Sequence, residues 1–194
     1  ANSLVKTNNY NVEIISIYQI YDEPVFSLDE KVKVRYLLDK KLNPNREEWK
    51  RALQRLEPIN FAKESLKSVK ILYKRKKEIV KYLKESKADI VISTRTTLNE
   101  WLGEYGDDNI IKIGWEHNHH HNNMKYATDV IRSAKKLDYL VLVSKDLYRF
   151  YNRKMLNYKC KCVYIPNSID NIPKRMSKLI YKNLITVGRL AKEK

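Results

Sequence analysis

Short apolar runs alternate with longer charged segments along the chain. The runs are rich in isoleucine, valine, leucine and tyrosine, a composition typical of β-strands. They predict strands at 12–18, 31–37, 89–93, 109–114, 138–144, 161–165 and 183–188. The segments between most of them carry apolar residues at helical spacing and predict helices at 46–56, 61–85, 96–105, 123–137 and 145–156. This alternation predicts an α/β fold, with a Rossmann-like parallel sheet and helices on both of its faces.

Proline and asparagine residues divide the chain further. Pro58 is expected to end the first long helix, and Asn60 to cap the second. The segment 166–173 contains two prolines, two asparagines and an aspartate, which break the periodicity as a linker does. We therefore predict a Rossmann-like domain over 1–165, a crossing segment over 166–182, and the start of a second domain over 183–194.

The loops that follow the predicted strands are the candidate binding site. Ligands of parallel α/β sheets bind at the carboxyl ends of the strands. Polar residues that occupy these loops are Thr94, Glu116, Asn118 and Ser144. We expect these four side chains to line a cleft.

A second candidate site follows the last predicted strand. Gly188 ends this strand, and the cations Arg189 and Lys194 come after it. A glycine lets the backbone approach a ligand closely, and an arginine fork with a lysine point charge suits a diphosphate. A basic turn without a ligand is the alternative interpretation.

All four histidines lie between His117 and His121. Histidine is a common metal ligand, but there is no HExxH pattern and no cysteine or aspartate cluster at zinc spacing. Because the loop follows a predicted strand, we expect one histidine to reach into the cleft and no metal to be bound. Cys160 and Cys162 are expected to be small buried hydrophobic residues.

The net charge of the chain indicates a partner in addition to a ligand in the cleft. The chain carries 39 lysine and arginine residues against 23 acidic ones, for a formal net charge of +16, which indicates an anionic partner. Much of the excess is a stripe on the predicted helix 61–85, where apolar residues are expected on the opposite side, facing the sheet. The lysines of the stripe are Lys63, Lys67, Lys70, Lys74, Lys77, Lys81 and Lys84. The apolar residues are Leu66, Val69, Leu72, Tyr73, Ile79, Val80 and Leu83.

An anionic membrane surface would relieve the repulsion among these lysines, and we take it as the partner of the stripe. A solvated helix face and a nucleic acid are the alternatives. No apolar run is long enough to span a membrane, and no hydrophobic leader region occurs in 1–11. These features predict a cytoplasmic protein.

Several segments resemble one enzyme family. The sequence YIPNSID at 164–170 is similar to an interdomain "IPNGVD" motif, with Ser168 in place of the usual glycine. LITVGRLAKEK at 184–194 is similar to "ILFVGRLVPEKG", and DYLVLVS at 138–144 to an "AD.VI.VS" strand. WEHN at 115–118 looks like the loop that carries a histidine in the same family. Together they resemble the retaining family-four glycosyltransferases of the GT-B fold.

The resemblance implies an activity and assigns residues to it. It implies transfer of a sugar, with retention, from a UDP-linked or other nucleotide-sugar donor to a saccharide or lipid-linked acceptor in surface polysaccharide or glycolipid synthesis. No cofactor or metal is implied. By resemblance, Gly188, Arg189 and Lys194 hold the leaving diphosphate, and His117 lies at the reacting sugar. A basic face of this domain would dock on the inner face of the membrane.

The resemblance also implies that parts of the family's fold are missing. Family members begin with a strand and a glycine-rich loop, whereas 1–7 is similar to the end of the helix that follows them. The absent strand would lie in the middle of the sheet, so we expect a gap that 183–188, a partner chain or the strand itself fills. A fragment of this kind is expected not to transfer sugar alone.

Two other classes of function remain open at this stage. A basic α/β domain that binds nucleic acid would explain the charge, although no helix-turn-helix, RNP or zinc-finger pattern is present. A metal-binding domain would use the histidine run.

Overall fold

The computed structural model describes residues 1–167 and Ile180, and the fold is that of an α/β protein. The strands are β1 (Glu13–Ser16), β2 (Lys33–Tyr36), β3 (Ile90–Ser93), β4 (Ile111–Glu116), β5 (Tyr139–Leu142) and β6 (Lys161–Tyr164). The helices are α1 (Asn2–Lys6), α2 (Arg46–Gln54), α3 (Pro58–Glu85), α4 (Thr96–Tyr105), α5 (Met124–Ala134) and α6 (Lys145–Lys154), with a short 3₁₀ helix at Lys40–Leu42. The predicted strand 183–188 and most of the crossing segment 166–182 lie outside the described residues.

The strands form two parallel sheets. One contains β3, β4, β5 and β6 in that order, and the other contains β1 and β2. Because successive right-handed crossovers that move in one direction place their helices on one face, α4, α5 and α6 all pack on the same face of the larger sheet. The predicted α/β fold with parallel sheets flanked by helices is confirmed.

The core lies between the larger sheet and these helices. Leu140 and Leu142 of β5 are fully buried there, against Leu102 of α4, Val130 of α5 and Tyr151 of α6. Each helix therefore contributes one apolar stripe to a common layer.

Gly114 allows the central strand to sit close to this layer. A Cβ at this position would come within 2.8 Å of the Leu137 Cδ1 atom and 3.0 Å of the Asn99 Nδ2 atom. Asn99 in turn accepts a hydrogen bond from the Ser93 hydroxyl. The glycine in β4 therefore leaves room for the polar pair that links β3 to α4.

Side-chain caps fix the starts of two helices at the sheet edge. The Asn123 Oδ1 atom accepts a hydrogen bond from the Tyr126 N–H at 3.0 Å, which begins α5. The Ser144 Oγ atom accepts one from the Leu147 N–H at 3.2 Å, which begins α6. Both caps satisfy backbone donors that a helix start leaves free.

The start of α3 differs from the prediction. Pro58 is the first residue of this helix, and Asn60 lies within it rather than capping it. Proline lacks an N–H, and the first turn of a helix requires none, so Pro58 is compatible with a helix start.

The predicted burial of α3 is wrong for its first half. Leu66, Val69, Leu72 and Tyr73 are 52–73% exposed, whereas Ile79 and Leu83 are buried as predicted. A helix of 28 residues is about 42 Å long, while the four-residue strands it crosses are only about 13 Å long. The first half of α3 therefore extends past the sheet.

That first half is held by α2 instead. The Trp49 indole N–H donates to the Ser65 Oγ atom at 3.0 Å, and the Trp49 and Phe61 rings lie 5.2 Å apart. The Asn45 side chain donates to the Glu64 backbone oxygen at 2.8 Å. These contacts use the residues of α3 that face α2, whereas Leu66, Val69 and Tyr73 stay in solvent.

Asp138 fastens β5 to its neighbours on both sides. Its carboxylate accepts the Lys112 N–H at 2.9 Å and pairs with the Lys159 ammonium at 2.9 Å. Burial alone would raise the pKa of Asp138, but the Lys112 hydrogen bond and the Lys159 charge outweigh it and lower the pKa below the usual 3.8. The ionised carboxylate therefore stabilises the fold.

Asp138→Asn should lower the free energy of unfolding at pH 7 by up to about 1 kcal/mol. A pKa that is lower in the folded state contributes stability above about pH 4, and the contribution is lost as the pH falls through the folded value. Urea unfolding at pH 7 and pH 3 should therefore show a difference between wild type and variant that shrinks in acid. Asp89→Asn, at an exposed side chain, is the control, and an equal loss in both variants would contradict the assignment.

Candidate functional site

Most of the predicted cleft residues lie at the carboxyl ends of the strands of the larger sheet, which we call the carboxyl edge. Strands β3, β4 and β5 end at Ser93, Glu116 and Leu142. Thr94 directly follows β3, and Asn118 lies two residues beyond β4. In parallel strands these ends meet at one edge, so the residues that follow them share it.

Glu116 is the buried acid of this edge. It is the last residue of β4 and only 5% exposed. Its Oε1 atom accepts a hydrogen bond from the Asn118 N–H at 2.7 Å, which turns the chain away from the strand. Asn118 in turn lies 3.4 Å, through its Nδ2 atom, from the Tyr126 hydroxyl. The structure therefore brings two predicted cleft residues together and adds a tyrosine from α5.

Two tyrosines near Glu116 keep their protons at any physiological pH. Burial raises the pKa of Tyr126, and the Glu116 charge adds to the effect, while Arg95 partly offsets it. Burial raises the pKa of Tyr151 much further, with Glu116 and Tyr126 as smaller contributors. Both phenols are therefore hydrogen-bond donors beside a carboxylate acceptor.

Tyr151 is unusual within this group. It is fully buried in α6, yet its hydroxyl has no hydrogen-bond partner among the described residues. A buried hydroxyl without a partner costs about 1–3 kcal/mol. The Trp115 Nε1 atom, next to Glu116, is also buried without a partner, as are the Asn43 Oδ1 and Arg75 Nε atoms elsewhere in the described residues. Tyr151 therefore supports this candidate site only together with buried Glu116 and its contacts.

The histidine loop places its four rings in different surroundings. His117 is exposed, and its ring stacks parallel to the Trp115 ring with centroids 5.9 Å apart. The Nδ1 atoms of His119 and His120 accept backbone N–H groups of His121 and Asn122, at 2.9 and 3.1 Å. These two rings hold a turn, which leaves His117 and His121 as the exposed histidines whose rings make no hydrogen bond within it.

The turn itself is conformationally demanding. His121 and Asn122 have φ angles of 45° and 61°, in the left-handed region. The His120 ring packs 4.2 Å from the Phe150 ring, and burial, with the charges of His119 and His121, lowers the pKa of His120. The loop therefore has a defined conformation, and the contact between His120 and Phe150 holds it against α6.

The loop does not form a metal centre in the part of the chain that the structure describes. Within residues 1–167, no three histidine, cysteine, aspartate or glutamate side chains converge so that they could hold a metal ion. The alternative of a metal-binding domain therefore gains no support from the geometry.

The other predicted cleft residues have different positions. The Ser144 side chain caps α6, and this structural role explains its position without a ligand. Thr94 is exposed and lines a cavity between β1 and β3. Gly188, Arg189 and Lys194 lie outside the described residues.

Sequence reasoning missed Tyr126 and Tyr151. Tyr151 lies on the apolar stripe of α6 with Leu147 and Met155, where a tyrosine looks like an ordinary core residue. The cap Asn123 was the available signal for Tyr126, which lies in the first turn of α5. Tyr151 lies in the second turn of α6, where the cap Ser144 gives no such signal.

The predicted stripe on α3 is solvent-exposed throughout. All seven lysines, which we call the lysine surface, are exposed: Lys63, Lys67, Lys70, Lys74, Lys77, Lys81 and Lys84. A second row of exposed side chains, which we call the apolar stripe, lies beside them and consists of Ile59, Leu66, Val69 and Tyr73. Lys67, Lys70 and Lys74 directly follow Leu66, Val69 and Tyr73 in the sequence. Consecutive residues of a helix are rotated by about 100°, so the two rows lie about that far apart around the helix axis.

None of the helices within 1–167 is both long enough and apolar enough to cross a membrane. The predicted burial of the two cysteines is confirmed for Cys160, whereas Cys162 is half-buried. Burial raises the pKa of Cys160 to about 12 and that of Cys162 to about 11, so both remain protonated thiols.

Comparison with known proteins gives one informative similarity. No protein-family model matches the chain. The chain is similar to an exopolysaccharide phosphotransferase of Streptomyces coelicolor, with 23% identity over 193 residues. The match covers 95% of this chain and 20% of that protein, so the chain spans about a fifth of the length of the curated relative it matches.

Proposed function

We propose that this chain belongs to a transferase of polysaccharide synthesis and forms the acceptor-side Rossmann-like domain of a retaining glycosyltransferase. The observation that carries the proposal is the group at the carboxyl end of β4, where buried Glu116 lies beside protonated Tyr126 and Tyr151 and exposed His117. The similarity to a protein named as an exopolysaccharide phosphotransferase supports the same broad class.

The chemistry of this group suits a saccharide. A sugar hydroxyl both donates and accepts hydrogen bonds, and the site offers a carboxylate acceptor with phenol donors. The paired rings of Trp115 and His117 lie on the other side of β4 from Glu116, because neighbouring strand residues point to opposite faces, and would contact a second sugar ring. In the proposal, the acceptor saccharide lies against Glu116 and Asn118, and His117 contacts the reacting sugar.

The donor would be a nucleotide-sugar, UDP-linked by resemblance. Its diphosphate is assigned to Gly188, Arg189 and Lys194, where two positive charges would stabilise the negative charge that develops on the leaving group. The proposal requires neither a cofactor nor a metal.

The lysine surface gives the proposed enzyme its location. Seven exposed ammonium groups beside an exposed apolar stripe have the composition of a helix that lies in a lipid interface. We assign this surface to an anionic membrane at its cytoplasmic face, where a lipid-linked acceptor would be available. Nucleic acid is the alternative partner of this surface, and the vesicle-binding experiment distinguishes the two.

A second function is favoured by the relative's name. A phosphotransferase would move a phosphate-containing group from the donor to the polysaccharide, whereas a glycosyltransferase leaves both phosphates on the nucleotide. The two reactions use the same classes of substrate and differ in the bond that breaks.

The proposal is tested with the full polypeptide that contains residues 1–194. It should incorporate label from a panel of radiolabelled nucleotide-sugars into bacterial saccharide or lipid-linked saccharide acceptors. Glu116→Gln should weaken acceptor binding and raise KM for the acceptor, with Glu104→Gln, at an exposed position of α4, as the control. No incorporation from any donor of the panel would count against the proposal.

A further inference from the structure

A groove lies at the amino ends of the strands, away from the carboxyl edge. Its volume is about 480 Å³, and residues at the amino ends of β1 and β2 and in the segment 82–88, which leads from α3 to β3, line it. Because β3 has four residues and is about 13 Å long, the groove and the carboxyl edge are separated by the length of a strand. The candidate site described above therefore does not include this groove.

Four exposed cations line the groove, which we call the basic groove. Lys33 and Arg35 are alternate residues of β2, so they point to the same face with their Cα atoms about 7 Å apart. Lys31, two residues before β2, and Lys87, just before β3, line the same groove. Positive charge therefore lies on both of its sides.

The acidic residues of the basic groove do not neutralise these cations. Glu13 and Glu85 are the two carboxylates in its described lining, which leaves an excess of two positive charges. The Glu13 Oε1 atom pairs with the Arg35 Nε atom at 2.9 Å. Among the described residues, neither Lys33 nor Lys87 pairs with an acidic side chain. The groove therefore presents charge that an anion can neutralise.

The Arg35 side chain is oriented by two neighbours. Besides its contact with Glu13, its guanidinium carbon lies 5.8 Å from the centroid of the Tyr82 ring, and the Tyr82 hydroxyl lies 3.4 Å from Glu13. Glu13 contacts the Nε side, while 59% of the Arg35 side chain remains exposed. An arginine held in this way can bind a carboxylate or a phosphate through its two other nitrogens with little loss of conformational freedom.

The shape and lining of the basic groove favour a saccharide that carries negative charges. A flat bilayer would contact the rim of a groove rather than the cations inside it. Single-stranded nucleic acid binds through aromatic faces on which bases stack, and Tyr82, the one aromatic residue of the described lining, already has Arg35 over its ring. Asn11 and Ser86 add neutral polar side chains, which can bind sugar hydroxyls.

We propose that the basic groove binds an acidic polysaccharide through its carboxylate or phosphate groups. The negative charge of the ligand follows from the groove itself, whereas the choice of a saccharide rests on the proposed function. A chain that occupied both the groove and the carboxyl edge would have to be longer than a strand, about 13 Å. The groove would therefore hold the polymer at a distance from its reacting end.

Binding of saccharide probes tests the proposal without any transfer reaction. Oligogalacturonate, with a carboxylate on each sugar, and phosphomannan, which carries phosphates, are titrated into the full polypeptide that contains residues 1–194. At least one of them should bind about 10-fold more tightly than uncharged dextran, because dextran forms no ion pairs. Equal binding of dextran, or no binding of either anionic probe, would overturn the proposal. Saccharide binding without any sugar transfer would count against the proposed function alone.

A double variant locates the binding. Lys33→Gln combined with Lys87→Gln should weaken binding of the anionic saccharide about 10-fold, since two exposed ion pairs contribute roughly that factor. Both side chains are exposed, so the variant should fold. Lys70→Gln combined with Lys74→Gln removes the same charge from the lysine surface and should leave saccharide binding nearly unchanged. Equal losses in the two variants would show that binding follows net charge, and the proposal would be wrong.

Single-stranded nucleic acid is the competing ligand of the basic groove. Oligo(dT) is titrated at the same salt concentration and should bind more weakly than the anionic saccharide, because the described lining has no free aromatic face for its bases. Tighter binding of oligo(dT), lost in the variant at Lys33 and Lys87, would make the groove a nucleic-acid site and would refute the saccharide assignment.

Discussion

Replacing His117 with alanine in the full polypeptide should lower kcat for sugar transfer about 100-fold, a loss typical of one group that acts at the transition state. His117 is the exposed histidine that directly follows β4, and its ring is oriented by stacking on Trp115. The rings of His119 and His120 are occupied as acceptors within the turn. KM for the donor should change little, because the proposed contact is to the reacting sugar.

The control must keep the loop intact. His121→Asn removes an imidazole at a φ of 45°, and asparagine tolerates this left-handed conformation better than most residues. This variant should retain nearly full activity. Equal losses in both variants would show that the loop is needed only as a structure, and full activity of His117→Ala would remove His117 from the reaction.

Replacing Lys70, Lys74 and Lys77 together with glutamine should weaken binding to phosphatidylglycerol vesicles about 100-fold. Each lysine near an anionic surface contributes about 1 kcal/mol, and three of them correspond to roughly two powers of ten. Glutamine and lysine have similar helix propensities, so α3 should stay folded. Co-sedimentation with vesicles of phosphatidylglycerol and phosphatidylcholine measures the partition coefficient.

The matched control removes the same charge from another surface. Lys31, Lys33 and Lys87 line a groove at the amino end of β1, and their replacement by glutamine should change vesicle binding much less. If both triple variants lose affinity equally, binding follows net charge rather than the lysine surface. If wild type binds RNA or DNA with steep salt dependence but ignores the vesicles, the surface is a nucleic-acid site instead.

The fold was largely predictable because its signal is local. Six predicted strands form within the described residues, and the helices between them begin and end near the predicted limits. The extension of β4 to Trp115 and Glu116 was not predicted. Burial alternates up to Glu116, but a charged residue that ends a strand looks like the start of a loop.

The burial of α3 shows where periodicity is insufficient. Leu66, Val69 and Tyr73 have helical spacing, and this spacing identifies an apolar face without identifying what covers it. Because α3 is longer than the sheet, part of that face stays exposed. The length of a helix relative to its strands is the quantity that a sequence pattern does not supply.

The candidate site was only partly predictable for a related reason. Glu116, His117 and Asn118 follow a strand and could be proposed from their position. Tyr126 and Tyr151 come from two helices, and only the fold brings them to Glu116. A buried hydroxyl without a partner is visible in three dimensions alone.

The most direct test of the proposed glycosyl transfer uses a donor with two labels, ¹⁴C in the sugar and ³²P in the phosphate next to it. The full polypeptide is incubated with this nucleotide-sugar and a saccharide acceptor, and the product is separated from the nucleotide. The proposal predicts a product that contains ¹⁴C without ³²P, and this product should depend on His117. A product that contains both labels would show phosphotransfer and contradict the proposed glycosyltransferase.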